Sequence, residues 1–243
     1  MPTQPSRLDL ELDILRQPDD QTCGPTCLHA LYRYYGEERE LEDVVREVPQ
    51  LEGGGTLAVN LAIHALRRGY RALVYTYNLA VFDPSWFESS ECDIAERLRA
   101  QRDEKGDARV AGATASYLEF LELGGELAME DLSVGLLRRW LGEGRPVLTG
   151  LSATFLYRSR REYGYPKLVE DDVRGQPQGH FVVLSGWDED ERTVRVADPL
   201  ESHPHFRRHI YWLPVQRVIN AILLGVLTYD ANLLVLEPPE DAA

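Results

Sequence analysis

Residues 21–36 read QTCGPTCLHALYRYYG, and the chain changes its period there. Before it, LDLELDIL (8–15) alternates apolar and charged side chains, the mark of a strand, and stops at Arg16-Gln17-Pro18. From Cys23 on, Cys27, Leu31 and Tyr34 recur at steps of four and three. That spacing predicts a helix with Pro25 in its first turn, where a missing N–H costs nothing, and Gly36 at its close. Cys23 is thereby set at a helix N-terminus, where the positive end of the macrodipole favours thiolate over thiol.

A cysteine pair at this spacing could also be a metal knuckle or a disulfide. Cys23, Cys27 and Cys92 are an odd and sparse set, which argues against a disulfide scaffold. A zinc site needs about four ligands, and no second cysteine pair exists to supply them. His29 is predicted to face away from Cys23 on the same helix. The histidines of HPHFRRH (His203, His205, His209) are flanked by Arg207 and Arg208, which oppose a cation. No metal and no cofactor are expected. Cys27 and Cys92 read as small packed hydrophobes, and His29 and His64, inside helical segments, as surface or packing residues.

Forty acidic side chains against 26 basic ones give a net charge of −14, which opposes binding to DNA, RNA or an anionic membrane. Cationic or neutral partners fit better. The longest apolar stretch, 218–235, is interrupted by Asn220, Gly225, Asp230 and Asn232, short of the ~20 apolar residues of a membrane span. No basic start followed by an apolar run marks a signal peptide. The expectation is a soluble, cytoplasmic protein with no membrane insertion.

Further along, 41–47 reads as a short acidic helix, 49–55 as a loop, 56–68 as a helix ended by Gly69, and 71–77 as a strand. The highly charged 94–109 reads as an exposed helix or partly mobile insertion, and 117–123 as another helical piece. A helix at 132–141 carries Arg138-Arg139 on its polar side and leads to an apolar strand at 147–151. The segment 158–178 has no apolar period, two glycines and two prolines, the composition of a surface loop. GHFVVLSGW (179–187) and TVRVADP (193–199) flank the turn DEDER and should pair as an antiparallel hairpin. A helix around 215–223 and a strand at 232–236 follow. Helices first and an antiparallel sheet afterwards argue for an α+β fold.

A thiolate nucleophile needs a base and donors for the oxyanion. Gln17, six residues before Cys23 and across a polar turn, can bring its side-chain amide in front of the sulfur, with the Cys23 backbone N–H as second donor. His180 opens a nearly all-apolar strand after Gly179, where a polar side chain needs a specific partner or a cleft. Asp198 ends the paired strand and returns to the neighbourhood of His180, where its carboxylate can hold the imidazole tautomer. Asp188 and Asp190, turn residues, are weaker candidates.

Gln17…Cys23-Gly24-Pro25, the helix ending Tyr34-Tyr35-Gly36, Gly55-Thr56 opening a second helix that ends at Gly69, Gly179-His180-Phe181-Val182-Val183 and Ala197-Asp198-Pro199 together resemble a papain-like cysteine peptidase. More narrowly they resemble the peptidases that cut leader peptides after double-glycine sites in bacteriocin export, and their free-standing relatives. The resemblance covers 8–77 and about 140–236 and departs over about 78–131. It implies one papain-like catalytic domain over 1–243, with a helical half (about 16–141, including the charged insertion) and a sheet half (about 145–236). It also implies a catalytic set of Cys23, His180, Asp198 and Gln17 that cleaves a peptide or isopeptide bond, with a peptide or small peptide-like substrate.

Phytochelatin synthase is similar in the order and spacing of its Gln, Cys, His and Asp, and implies a γ-glutamylcysteine transpeptidase instead. A non-catalytic peptide-binding module is a third reading, and the cysteine at the nucleophile position argues against it. Gly179, Tyr163 and Tyr165 are expected to line the substrate groove, with the 158–178 loop, flanked by Tyr157, as one wall. The exporting relatives are fused to a membrane transporter. With no span and no GxxxxGK[ST] loop here, action alone or through an unknown protein partner is expected.

Overall fold

The computed structural model describes residues 6–51, 54–164, 168–200, 208–228 and 231–239, Arg109 by its backbone alone. In the first half lie β1 (Arg7–Asp9), α1 (Cys23–Tyr34), α2 (Leu41–Glu47), α3 (Ala58–Leu66), β2 (Arg71–Thr76), α4 (Ile94–Lys105) and α5 (Ala108–Glu122). Next come β3 (Glu126–Ala128), α6 (Val134–Gly142), β4 (Val147–Ser152), α7 (Ala153–Tyr157) and a small ladder of β5 (Glu162–Tyr163) with β6 (Val169–Glu170). The chain finishes with β7 (Gly179–Asp188), β8 (Thr193–Ala197), β9 (Ile210–Pro214), α8 (Val215–Leu224) and β10 (Asn232–Glu237).

One sheet in the order β3-β2-β10-β4-β7-β8-β9, with β1 added on β7, runs through both halves. Its pairings are antiparallel except β2–β3. Phe181 and Val183 of β7 and Leu234 and Leu236 of β10 pack toward α1, α3 and α5. The alternate residues Val182, Leu184, Leu233 and Val235 pack toward α6, α7 and α8. A sheet covered on both faces explains why 179–187 is apolar throughout instead of alternating. The architecture is α+β, as the order of elements predicts.

The departures have local causes. The strand predicted at 8–15 pairs only over Arg7–Asp9, because Glu11 adopts a φ of 48° and breaks the pleat. Leu10 N–H still reaches Ser185 O at 2.9 Å, and buried Arg195 fastens the rest by donating to Leu12 O at 3.2 Å. Of the charged segment 94–109, residues 94–105 form the helix α4, exposed along most of its length as one of the two readings expects, and α5 begins at Ala108. Gly106, at φ 60°, ends α4, and α5 packs on α3 through an apolar stripe that includes Val110, Ala113, Tyr117 and Phe120. Leu98 of the charged α4 is itself fully buried. The loop expected at 158–178 contains the β5–β6 ladder. Strand β9 and the short β3 carried no sequence signal. No helix among the described residues is long and apolar enough to cross a membrane.

Candidate active site

The site lies where the start of α1 meets β7. Gly24 makes that approach possible: a Cβ there would stand 2.9 Å from Thr56 Cγ2 and 3.2 Å from the Phe181 ring. Cys27, one turn along, is fully buried, and its thiol donates to Phe181 O at 3.3 Å, which ties α1 to the strand. Burial raises the Cys27 pKa well above its ordinary value, with the charges of Cys23 and Asp198 adding to the effect. Cys27 is a packing residue, as the sequence implies. Cys23 is the first residue of α1, so its backbone N–H has no acceptor within the helix.

His180, the second residue of β7, is buried, and the Cys23 sulfur lies near enough to its ring to raise its pKa. Its Nε2 donates to Asp198 Oδ1 at 2.9 Å, which leaves Nδ1 for the sulfur. The hairpin achieves this by register, since Val183 stands opposite Ala197 and the residue after Ala197 turns back toward the start of β7. Burial pulls the His180 pKa down, but the Asp198 carboxylate and the Cys23 sulfur outweigh it and hold the group up at about 10.

Asp198 is 2 % exposed and takes four donors among the described residues. Oδ1 accepts from His180 and from Leu200 N–H at 2.9 Å, while Oδ2 accepts from Tyr157 OH at 2.6 Å and Tyr211 OH at 2.5 Å. Its backbone is fixed too: Asp198 N–H donates to His209 O at 2.7 Å, and His209 Nδ1 donates to Asp198 O at 2.8 Å. Burial alone would raise the carboxyl pKa. The His180 charge and the bonds from His180, Tyr157 and Tyr211 lower it instead. Burial and the Asp198 charge push the Tyr157 and Tyr211 hydroxyls up, so both stay protonated as donors.

Gln17 is buried beside this loop, its backbone N–H donating to Pro199 O at 2.9 Å. One side-chain N–H donates to Asp19 O at 2.7 Å, inside the turn that leads to α1, and the second remains for another acceptor. Among the described residues no donor reaches Gln17 Oε1.

The structure brings together Cys23, His180 and Asp198, and holds Gln17 by its backbone to the residue after Asp198. Gly179 is exposed at the start of β7, opposite Ser152. Tyr163 lies on β5, exposed, with the Arg174 guanidinium 4.5 Å from its ring centroid. The carboxyl of neighbouring Glu162 is raised by burial and by the charges of Asp20 and Glu170. Tyr165, His203 and His205 lie outside the described residues. His29 Nε2 bonds Arg39 O at 2.9 Å, and His64 bonds Tyr32 OH at 2.7 Å and Glu47 at 3.1 Å, so both serve the packing of the helical layer. Asp188 accepts from Glu191 N–H at 3.0 Å in its turn. No group of three metal-ligating side chains occurs among the described residues. Sequence reasoning missed the contribution of Tyr211 and saw Tyr157 only as a loop residue. Strand β9 carried no sequence signal that would have pointed to Tyr211.

No family model and no curated protein matches the chain. Among solved structures it is similar to one from Bacillus anthracis described as a C39-like peptidase, at 14% identity and a TM-score of 0.52 over 96% of this chain and 98% of that one. It is also similar to Xylellain, a cysteine protease from Xylella fastidiosa, at 14% identity and a TM-score of 0.47 over 97% of this chain and 87% of that one. A third is a double glycine motif protease from an AMS/PCAT transporter in complex with the leader peptide, at 13% identity and a TM-score of 0.45 over 95% and 94%. The first of these shows the fold: this chain has the papain-like α+β architecture of C39-like peptidases.

Proposed function

We propose that this protein is a papain-like thiol hydrolase that cleaves a peptide or isopeptide bond through an acyl-enzyme on Cys23. The observation that carries the reading is the buried hydrogen bond from His180 to Asp198, with the Cys23 sulfur close enough to raise the imidazole pKa and set at the start of a helix. Asp198 holds the imidazole with Nε2–H toward the carboxylate, so Nδ1 exchanges the proton with sulfur.

The Cys23 thiolate attacks the scissile carbonyl, forming a C–S bond while the carbonyl π electrons move to oxygen. The second Gln17 N–H and the Cys23 N–H stabilise that oxyanion, each donor lowering the barrier by ~2.7–4 kcal/mol. Protonated His180 gives its proton to the leaving amine as the C–N bond breaks. Water, deprotonated by His180, then attacks the thioester, and the acid leaves as the thiolate re-forms.

The test is iodoacetamide alkylation across pH, mapped by peptide mass spectrometry in wild type and His180→Ala, with Cys27 and Cys92 as internal controls. Cys23 should label well below the ~8.5 of an ordinary thiol and lose that advantage without His180. Equal labelling of Cys23 in the two proteins refutes the reading. Screening of the same pair against peptide and isopeptide substrates then identifies the bond.

A further inference from the structure

Two phenols close over the side of Asp198 that His180 leaves free. Tyr157 OH and Tyr211 OH stand 2.6 Å and 2.5 Å from the same oxygen, Oδ2, and come from separate parts of the chain. Tyr157 is the last residue of α7, and Tyr211 lies on β9 opposite Val196. Phenylalanine would fill either place equally well, so packing does not explain the hydroxyls, and a hydroxyl at this depth is costly without a partner. A buried carboxylate held by one histidine and one backbone amide could still pivot about its Cβ–Cγ bond or take up a proton. Here Oδ1 has His180 and Leu200, Oδ2 has the phenols, and neither movement is open.

We propose that Tyr157 and Tyr211 are positioning residues for catalysis, a pair that locks the Asp198 carboxylate in the plane that meets His180 Nε2 and keeps it ionised. The inference rests on the thiol-hydrolase reading above. The titratable groups around Asp198 are His180 on β7, Tyr157 on α7, Tyr211 on β9, His209 at its backbone carbonyl, and the thiols of Cys23 and Cys27 on α1. Of these only the two tyrosines bond Oδ2.

The experiment follows Cys23 alkylation against pH in wild type, Tyr157→Phe, Tyr211→Phe and the double variant, with thermal melting of each. Without a phenol the carboxylate protonates at higher pH, His180 loses its counter-charge, and the thiolate is lost earlier on acidification. The acid limb should therefore move up by about one pH unit per tyrosine, with the alkaline limb in place. A purely structural role would lower the melting temperature and leave the acid limb where it is, and that result in the double variant overturns the proposal.

Should the double variant not fold, 3-fluorotyrosine placed at 157 or at 211 keeps the packing and strengthens the donor. The limb then moves down, and an unmoved limb again overturns the proposal. Wild-type Cys23 that labels independently of His180 refutes the hydrolase reading and the tyrosine pair with it. A His180-dependent wild type matched by a folded double variant refutes the pair alone.

Discussion

The Gln17 backbone N–H donates to the Pro199 carbonyl at 2.9 Å, fastening the segment that carries the proposed oxyanion donor to the residue after Asp198. Two segments far apart in sequence are thus set by one backbone contact. Gln17→Ala should lower kcat by ~10²–10³ with iodoacetamide labelling of Cys23 unchanged, because alkylation develops no oxyanion. A loss of labelling to match the loss of turnover would show that Gln17 builds the site instead of serving the reaction.

The charges at the site give a pH signature whose sign is fixed. His180 is raised to about 10 by Asp198 and Cys23 against its burial. Its stabilisation is fully present below the ~6.5 of an unfolded histidine and is lost as pH rises through about 10. Asp198 is lowered, so its contribution is present above the ~3.9 of an unfolded aspartate and is lost as pH falls through the folded value. Melting temperature against pH should therefore show in wild type a fall that begins above about 6.5 and is complete near 10, and that is absent in His180→Ala. An identical alkaline fall in both proteins would assign it to other groups.

At Gly24, alanine would place a methyl 2.9 Å from Thr56 Cγ2 and 3.3 Å from Leu61 Cδ1. Overpacking of this kind destabilises by about 1–3 kcal/mol, measurable by urea unfolding. Thr56→Ser removes the opposing methyl and keeps the hydroxyl that donates to Pro49 O at 2.7 Å. The double variant should recover part of the loss in stability and in Cys23 labelling; simple addition of the two effects would place the strain elsewhere.

Phe120 of α5 is fully buried, and its ring covers Gly125. Phe120→Ala should cost about 3–5 kcal/mol in denaturant unfolding, as for any large core side chain. A change within about 0.5 kcal/mol would show that Phe120 is not part of the core.

Much of the arrangement was legible because its signals are local. The break at Pro18, the period that begins at Cys23 and the hairpin around DEDER place Cys23, His180 and Asp198 on α1, β7 and the end of β8. Gly106 and the stripe of α5 were equally local, but the charge of α4 beside them masked the apolar period. The Tyr211 bond to Asp198 could not be read, because it depends on β9 pairing with β8 across a segment with no pattern of its own. Local chemistry marks the candidate groups, whereas what restrains them depends on where distant segments close.

The excursion between β4 and β7 is pinned at its base. Ala153 N–H donates to Gln178 O at 2.9 Å, and Gln178 N–H donates to Thr154 Oγ1 at 2.9 Å. Tyr157 stands just inside that knot, while the β5–β6 ladder lies beyond it. The described residues 159–164 and 168–176 therefore hang from a closed collar. Their number and side chains can be exchanged, as one exchanges the head of a tool, while the residues below the collar keep their places.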